Sequence, residues 1–180
     1  CFVPLTIAGG IKSLQDIEEL LKVGADKVCI NSHAIKNLNF IEQAVNKYGS
    51  QCIVISIDYK INKNREKEIY INSGTTPTGI LLENFIEKIN RIQPGEILIT
   101  SIDHDGLMKG YDTNTIKKIS NLCEIPIIAS GGAGKLEDFY DLLKSTNIKA
   151  LSAASIFHFT EITPLDVKKY LHQLGIKVRL

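Results

Sequence analysis

The chain has little excess charge of either sign, no long apolar run and no closely spaced cysteines. Among its 180 residues, 21 Lys and Arg against 20 Asp and Glu give a formal net charge of +1. Nucleic acids and anionic membranes are bound through clustered basic side chains, so this balance argues against both and favours a small-molecule or protein partner. No apolar stretch approaches the roughly 20 residues that cross a bilayer.

Targeting and metal-binding signals are also missing. The first ten residues lack a basic segment followed by an apolar one, so we expect a soluble, cytoplasmic protein. The four cysteines lie too far apart to chelate a metal, and three sit inside apolar runs, which predicts buried, reduced thiols. The histidines show no metal-ligand spacing either. The sequence therefore predicts no metal and no cofactor.

Short apolar runs alternate with segments of helical periodicity. The predicted strands are 2–8, 27–31, 52–58, 96–102, 126–130 and 150–154. The predicted helices are 13–23, 34–48, 79–92, 113–122, 135–144 and 164–174, the first with Ser13 as N-cap and Asp16 three residues later. Strands that are apolar throughout indicate burial on both faces, and regular alternation indicates a parallel sheet. A doubly wound sheet and part of a (β/α)8 barrel both fit.

An internal repeat favours the barrel. PLTIAGGI at 4–11 is similar to PIIASGGAG at 126–134, and ADKVCINSHAI at 25–35 falls opposite KALSAASIF at 149–157. The second copy follows the first by four βα units, as in a barrel built from two half-barrels. We therefore predict a single partial (β/α)8 barrel domain over 1–180, with a charged β-hairpin inserted at about 60–73.

Each repeat ends one strand with a glycine pair and the next with small polar residues. The glycine pairs are Gly9–Gly10 and Gly131–Gly132, followed by Asn31–Ser32 and Ala154–Ser155. Such turns let backbone N–H groups meet an anion, although a glycine pair also occurs where the chain simply turns. Their matched positions favour two phosphate sites, and hence a substrate with two phosphates.

Carboxylates close two of the predicted strands. Asp58 ends CIVISID, while Asp103 and Asp105 follow ILIT. A partly desolvated carboxylate at a barrel mouth can act as general acid or base; the alternative is a helix cap or a salt bridge to a loop lysine. Thr100 and Ser130, at the ends of adjacent strands, are placed to orient a substrate.

Charged residues also stand at the opposite, N-terminal ends of the strands. Asp26, Lys27 and Glu96 occupy this face. They fit a solvated rim, a gate or a subunit contact.

Seven motifs in order resemble the cyclase subunit of imidazole glycerol phosphate synthase: GGI, GADKVCIN, GSQCIVISID, GEILITSIDHDG, GYD, PIIASGGAGK and AASIFHF. The resemblance covers the whole chain. It implies a (β/α)8 barrel whose substrate carries a phosphate at each end. It also implies ammonia supplied by a glutamine amidotransferase partner on the N-terminal face, in a heterodimer. The implied reaction is a lyase/cyclase step of histidine biosynthesis, which yields imidazole glycerol phosphate and an aminoimidazole carboxamide ribotide.

The resemblance also implies roles for individual residues. Asp58 matches one of two acid/base carboxylates, and Asp105 and Thr100 match residues at the end of the family's sixth strand. One phosphate site is matched by Gly10, Asn31, Ser32, Ala154 and Ser155, and the other by Gly106, Ser130, Gly131 and Gly132. The ammonia gate is matched by Lys27 and Glu96, and positions near the partner interface by Asp26 and Gln51.

Some features depart from the family pattern. Strand 2–8 matches the family's third strand, so the first two βα units, with the Asp that partners Asp58, are missing and the chain as given is expected to be inactive. Ala8 and Leu107 replace a Gly and a Thr, and CFVPL resembles a sister branch that delivers ammonia for amidation of a surface-polysaccharide sugar. That paralogue and a non-catalytic remnant remain open. A third candidate is a related sugar-phosphate isomerase built on the same half-barrel plan. It is disfavoured because that family lacks the SIDHDG, GYD and FHF motifs present here.

Overall fold

The computed structural model describes residues 3–180, so Cys1 and Phe2, the latter in the first predicted strand, lie outside the described residues. The strands there are β1 (Thr6–Ala8), β2 (Lys27–Ile30), β3 (Ile53–Ile61), β4 (Lys67–Ile71), β5 (Thr76–Leu81), β6 (Glu96–Ser101), β7 (Ile127–Ser130) and β8 (Ala150–Leu151). The helices are α1 (Leu14–Lys22), α2 (Ser32–Lys36), α3 (Leu38–Tyr48), α4 (Leu82–Ile89), α5 (Thr113–Leu122), α6 (Leu136–Ser145), α7 (Ser155–Phe159) and α8 (Pro164–Gln173). A short 3-10 helix, Ser50–Cys52, precedes β3.

Six strands form one parallel sheet in the order β1-β2-β3-β6-β7-β8. Helices connect each strand to the next. In a doubly wound sheet the strand order reverses at a switch point, whereas here the parallel strands follow their order in the chain. The predicted partial (β/α)8 barrel is therefore confirmed. Within the part of the chain described, β1 and β8 are the edges of this parallel path.

Isoleucine dominates the core between the sheet and its helices. Ile55 and Ile57 of β3 and Ile97 and Ile99 of β6 are fully buried. They belong to one cluster with apolar side chains from the helices, such as Ile86 of α4. The uninterrupted apolar runs of the sequence thus correspond to strands covered by helices, as parallel sheets require.

Two predicted helices differ from those observed. Segment 34–48 is split into α2 and α3, because the Asn37 side chain accepts a hydrogen bond from the Phe40 N–H at 3.1 Å and caps a new helix. Segment 79–92 is helical only over α4, because the residues before it form β5. α1 begins as predicted, with Ser13 and Asp16 in a capping box.

The inserted hairpin is longer than the predicted 60–73. β3 continues to Ile61, β4 pairs antiparallel with its last four residues, and β5 extends the insertion to Leu81. Ile69 is fully buried, and Ile71 nearly so. The hairpin is therefore attached to the sheet by backbone pairing and by an apolar face.

The predicted burial of the cysteines is confirmed at one position. Cys29 is buried, and desolvation raises the pKa of its thiol to about 11. Cys52 and Cys123 are half-buried free thiols, because each lies at the margin of an element rather than inside a strand. Cys1 lies outside the described residues. No helix described between residues 3 and 180 is long and apolar enough to cross a membrane.

Candidate active site

Three polar residues form a row across adjacent strands, close to where the parallel pairing of the sheet ends. Asp58 of β3 is in register with Thr100 of β6, and Thr100 is in register with Ser130 of β7. Register partners in a parallel sheet project to the same face. The structure thus brings together the carboxylate and the two hydroxyls that the sequence selected separately.

Asp58 is half-buried and hydrogen-bonded. The side-chain amide of Asn31 donates to Asp58 Oδ2 at 3.0 Å. Burial raises the pKa of the Asp58 carboxyl, the hydrogen bond from Asn31 opposes this rise, and the nearby negative charge of Asp105 adds to it. A carboxyl group with a raised pKa exchanges its proton closer to neutral pH, as acid/base chemistry needs.

A cleft of about 690 Å³ adjoins this carboxylate. It is lined by predicted site residues, including Gly10, Asn31 and Ser32, and by six polar residues that the sequence analysis did not select: Lys12, His33, Lys36, Ser56, Asn72 and Ser73. Lys12 and Lys36 are exposed and form no salt bridge within residues 3–180. Lys12 and His33 closely follow strand-end turns, which is the signal that could have identified them.

The two glycine pairs have different surroundings. Gly9 and Gly10 have positive φ angles, and a side chain at either would meet open space. Gly132 is buried, and a Cβ there would collide with the carbonyl oxygen of Gly110, whose own N–H donates to the Gly132 oxygen at 2.8 Å. The second pair is thus required by close backbone packing, and its contact with phosphate stays a prediction.

Ala154 and Ser155 do not lie with Gly10, Asn31 and Ser32 as the resemblance implied. They follow β8, which is separated from β2 by β3, β6 and β7. β8 instead pairs with β7, so these residues lie beside the Ser130–Gly132 turn. The grouping is corrected accordingly, because strand order decides which strand ends are neighbours. Asp105 and Gly106 are exposed in the loop after β6.

At the opposite end of the sheet, Lys27 and Glu96 form an ion pair. They start β2 and β6, which flank β3, so the pair spans the beginning of β3. The Asp26 carboxylate accepts a hydrogen bond from the Leu5 N–H at 2.7 Å and so fastens the chain leading into β1. Gln51 is exposed in the 3-10 helix.

This combination defines a class of protein: a barrel enzyme with a strand-end carboxylate and small-residue turns at its C-terminal face. Across residues 3–180, no three His, Cys, Asp or Glu side chains cluster as a metal ion would require. A protein family described as histidine biosynthesis protein matches residues 1–163.

Curated relatives narrow the assignment. The chain is 47% identical over 180 residues to imidazole glycerol phosphate synthase subunit HisF of Natranaerobius thermophilus, covering 99% of this chain and 71% of that protein. It is 49% identical over 179 residues to the same subunit of Dictyoglomus thermophilum, and 46% identical over 180 residues to that of Clostridium botulinum, with the same coverage. The chain belongs to the histidine biosynthesis protein family and, within it, to the HisF type, the cyclase subunit of imidazole glycerol phosphate synthase. The resemblance seen in the motifs is thus confirmed.

Proposed function

We propose that this chain, together with any residues that precede Cys1 in the cell, performs the lyase/cyclase step of histidine biosynthesis, using ammonia from a glutamine amidotransferase partner. The substrate is a ribotide with a phosphate at each end, and the products are imidazole glycerol phosphate and an aminoimidazole carboxamide ribotide. The observation that carries this proposal is the half-buried, hydrogen-bonded Asp58 beside a cleft lined by small-residue turns. The HisF name of the relatives supports the histidine pathway over sugar amidation.

In this proposal Asp58 transfers protons at the ring-closing step. Burial raises the pKa of the Asp58 carboxyl, and this is the direction that proton transfer by a carboxyl group near neutral pH requires. A second carboxylate, that of Asp105, lies near Asp58, and its negative charge raises the pKa of Asp58 further. Thr100, in register with Asp58, orients the substrate from the adjacent strand.

Two phosphate sites flank this carboxylate. The first uses the open turn at Gly10 with Asn31 and Ser32, and the exposed Lys12 and Lys36 supply positive charge at the same cleft. The second uses Gly106 and the neighbouring strand ends: Ser130, Gly131, Gly132, Ala154 and Ser155. Strand order supports this division, since the first set follows β1 and β2, the second follows β6, β7 and β8, and β3 lies between them.

Ammonia enters from the opposite end in this proposal. The Lys27–Glu96 pair across the start of β3 gates the entrance, and Asp26 and Gln51 contact the glutamine amidotransferase. The support is geometric: the ion pair lies at the N-terminal ends of the same parallel strands whose C-terminal ends carry the candidate active site.

The direct test is ammonia-dependent turnover of the phosphoribosyl formimino-carboxamide ribotide substrate. The protein, with any residues that precede Cys1 in the cell, is assayed at saturating ammonium without a partner. Asp58→Asn should lower kcat at least about 100-fold, as expected for loss of a general acid/base. Asp141→Asn, which removes an exposed carboxylate on α6, is the matched control.

Two outcomes would contradict the proposal. Near-wild-type turnover by a folded Asp58→Asn variant would remove the acid/base role of Asp58. No turnover by the well-folded wild type, together with retained binding to a glutamine amidotransferase, would favour the ammonia-delivering paralogue instead.

A further inference from the structure

The side-chain amide of Asn31 is engaged at both ends. Its nitrogen donates to Asp58 Oδ2 at 3.0 Å and to the Ser56 carbonyl oxygen at 3.2 Å. Its oxygen accepts a hydrogen bond from Ser32 Oγ at 3.1 Å. A flipped amide would set its oxygen against a carboxylate and a carbonyl, neither of which donates a hydrogen bond. These contacts therefore select one orientation of the amide.

Ser32 is itself held by the inserted hairpin. The Asn72 N–H donates to Ser32 Oγ at 3.0 Å. Asn72 and Ser73 have φ angles of 54° and 58°, a left-handed conformation that few residues other than glycine adopt. This turn directs a backbone donor at the active-site cleft, so a chain of hydrogen bonds runs from Asn72 through Ser32 and Asn31 to Asp58.

We propose that Asn31 is a positioning residue that orients Asp58 for proton transfer, and that Ser32 and the hairpin turn at Asn72 hold Asn31 in place. This inference rests on the proposed catalytic role of Asp58. It goes beyond the phosphate contact that the resemblance implies for Asn31. A phosphate ligand contributes mainly to substrate binding, whereas a positioning residue acts on the catalytic step.

A donor to the carboxylate stabilises its ionised form, so loss of Asn31 should raise the pKa of Asp58 further. Several titratable or charged groups also lie around Asp58. Those that face it or line the same cleft are Asp105, Cys29, Lys12, His33 and Lys36, with Tyr70 in register on β4. Substitution of Asn31 leaves all of them in place, so a change in the titration of Asp58 reports on the lost hydrogen bond.

The main test is Asn31→Leu, which removes the donor at similar side-chain volume. The acid limb of the kcat/KM profile should move upward by about one pH unit, the shift expected for one hydrogen bond to a charged group. kcat should fall by a larger factor than KM for the ribotide rises, because a positioning residue acts on the catalytic step. Ser32→Ala should give a smaller shift in the same direction. Ser32→Thr, which keeps the hydroxyl, should leave the acid limb at its wild-type position.

A second readout does not depend on activity. The Asp58 carboxyl is titrated by ¹³C NMR in wild type and in Asn31→Leu, with Asp58→Asn to assign its signal. An unmoved Asp58 titration in a folded Asn31→Leu or Ser32→Ala protein would overturn the inference, as would a raised KM with an unchanged acid limb. Full turnover by Asp58→Asn would instead show that the proposed function is wrong, while the NMR shift still tests the contact.

Discussion

Asp58 is a carboxylate that the fold holds half-buried at some cost to stability. Its pKa is raised by burial, so ionisation is harder in the folded chain than in the unfolded one. Under linkage, a raised folded pKa means stability that is fully present below the unfolded pKa and lost as pH rises through the folded pKa. The ionised Asp58 therefore opposes folding near neutral pH.

It follows that Asp58→Asn should be more stable than wild type near pH 7. The gain should shrink as pH falls and disappear below the unfolded value of 3.8, because Asp58 is then protonated in both states. Urea unfolding between pH 4 and 8 measures this difference. Asp141→Asn loses the same charge on the exposed surface of α6 and controls for net charge. A gain that is equal at all pH values would contradict the argument.

At the scale of single residues, site residues that follow apolar strands can be predicted from the sequence better than site residues in loops. Asp58, Thr100 and Ser130 could be selected because each ends an apolar run, and the ends of parallel strands meet at one edge. Asn72 could not, because its hydrogen bond to Ser32 joins positions 40 residues apart through an inserted hairpin. No local pattern encodes such a contact.

At the scale of elements, a side-chain cap explains why the predicted helix 34–48 is split in the structure. The apolar spacing over 34–48 is continuous, yet Asn37 ends α2 and caps α3, because a short polar side chain competes for backbone groups. The end of the hairpin was missed for another reason. β5 reads TPTGIL, and Pro and Gly argue against a strand, so its pairing with β4 decides its structure.

The Asp112 side chain connects α5 to β3 and β4. It is the N-cap of α5, where it accepts from the Thr115 N–H at 3.1 Å. Its carboxylate also accepts from Tyr59 of β3 at 3.0 Å and from Lys67 of β4 at 3.2 Å. Burial acts to raise the pKa of Asp112, but hydrogen bonds from Thr115 and the charge of Lys67 outweigh it, and the pKa is lowered. The GYD motif thus ends in a residue that fastens the hairpin.

Asp112→Ala should destabilise the protein by about 3 kcal/mol, since it removes a cap and leaves Lys67 without its partner in a mostly buried site. A lowered folded pKa gives stability that is present above the unfolded pKa and lost as pH falls through the folded pKa. The difference from wild type should therefore diminish below pH 4. Urea unfolding checks both statements. Lys67→Met, which keeps the cap, should cost less, and an equal loss in the two variants would contradict this account.

At the scale of the whole molecule, the parallel sheet separates the two sites of the proposed function. Its C-terminal ends carry the carboxylate and the turns, and its N-terminal ends carry the Lys27–Glu96 pair. The barrel could be predicted from the internal repeat, because two copies four βα units apart are expected when a barrel is built from two half-barrels. The neighbours of Ala154 and Ser155 could not be assigned in that way, since the repeat matches them to Asn31–Ser32 while strand order puts them beside β7.

If the Lys27–Glu96 pair gates ammonia entry, its loss should lower glutamine-dependent turnover without stopping ammonium-dependent cyclisation. Lys27→Met leaves the Glu96 carboxylate half-buried and without its cation at the start of β6. With a glutamine amidotransferase partner present, glutamine-dependent turnover should fall about tenfold relative to ammonium-dependent turnover, a change of about 1.4 kcal/mol in barrier.

Lys22→Met is the matched control for this experiment, because it breaks an exposed ion pair with Glu18 on α1 and removes the same charge. Exposed pairs contribute little, so both activities should stay near wild type in this variant. The informative quantity is the ratio of the two turnover rates, measured on one preparation with glutamine and with ammonium chloride. A Lys27→Met protein in which both activities fall together would mean that the pair supports the barrel and does not gate ammonia.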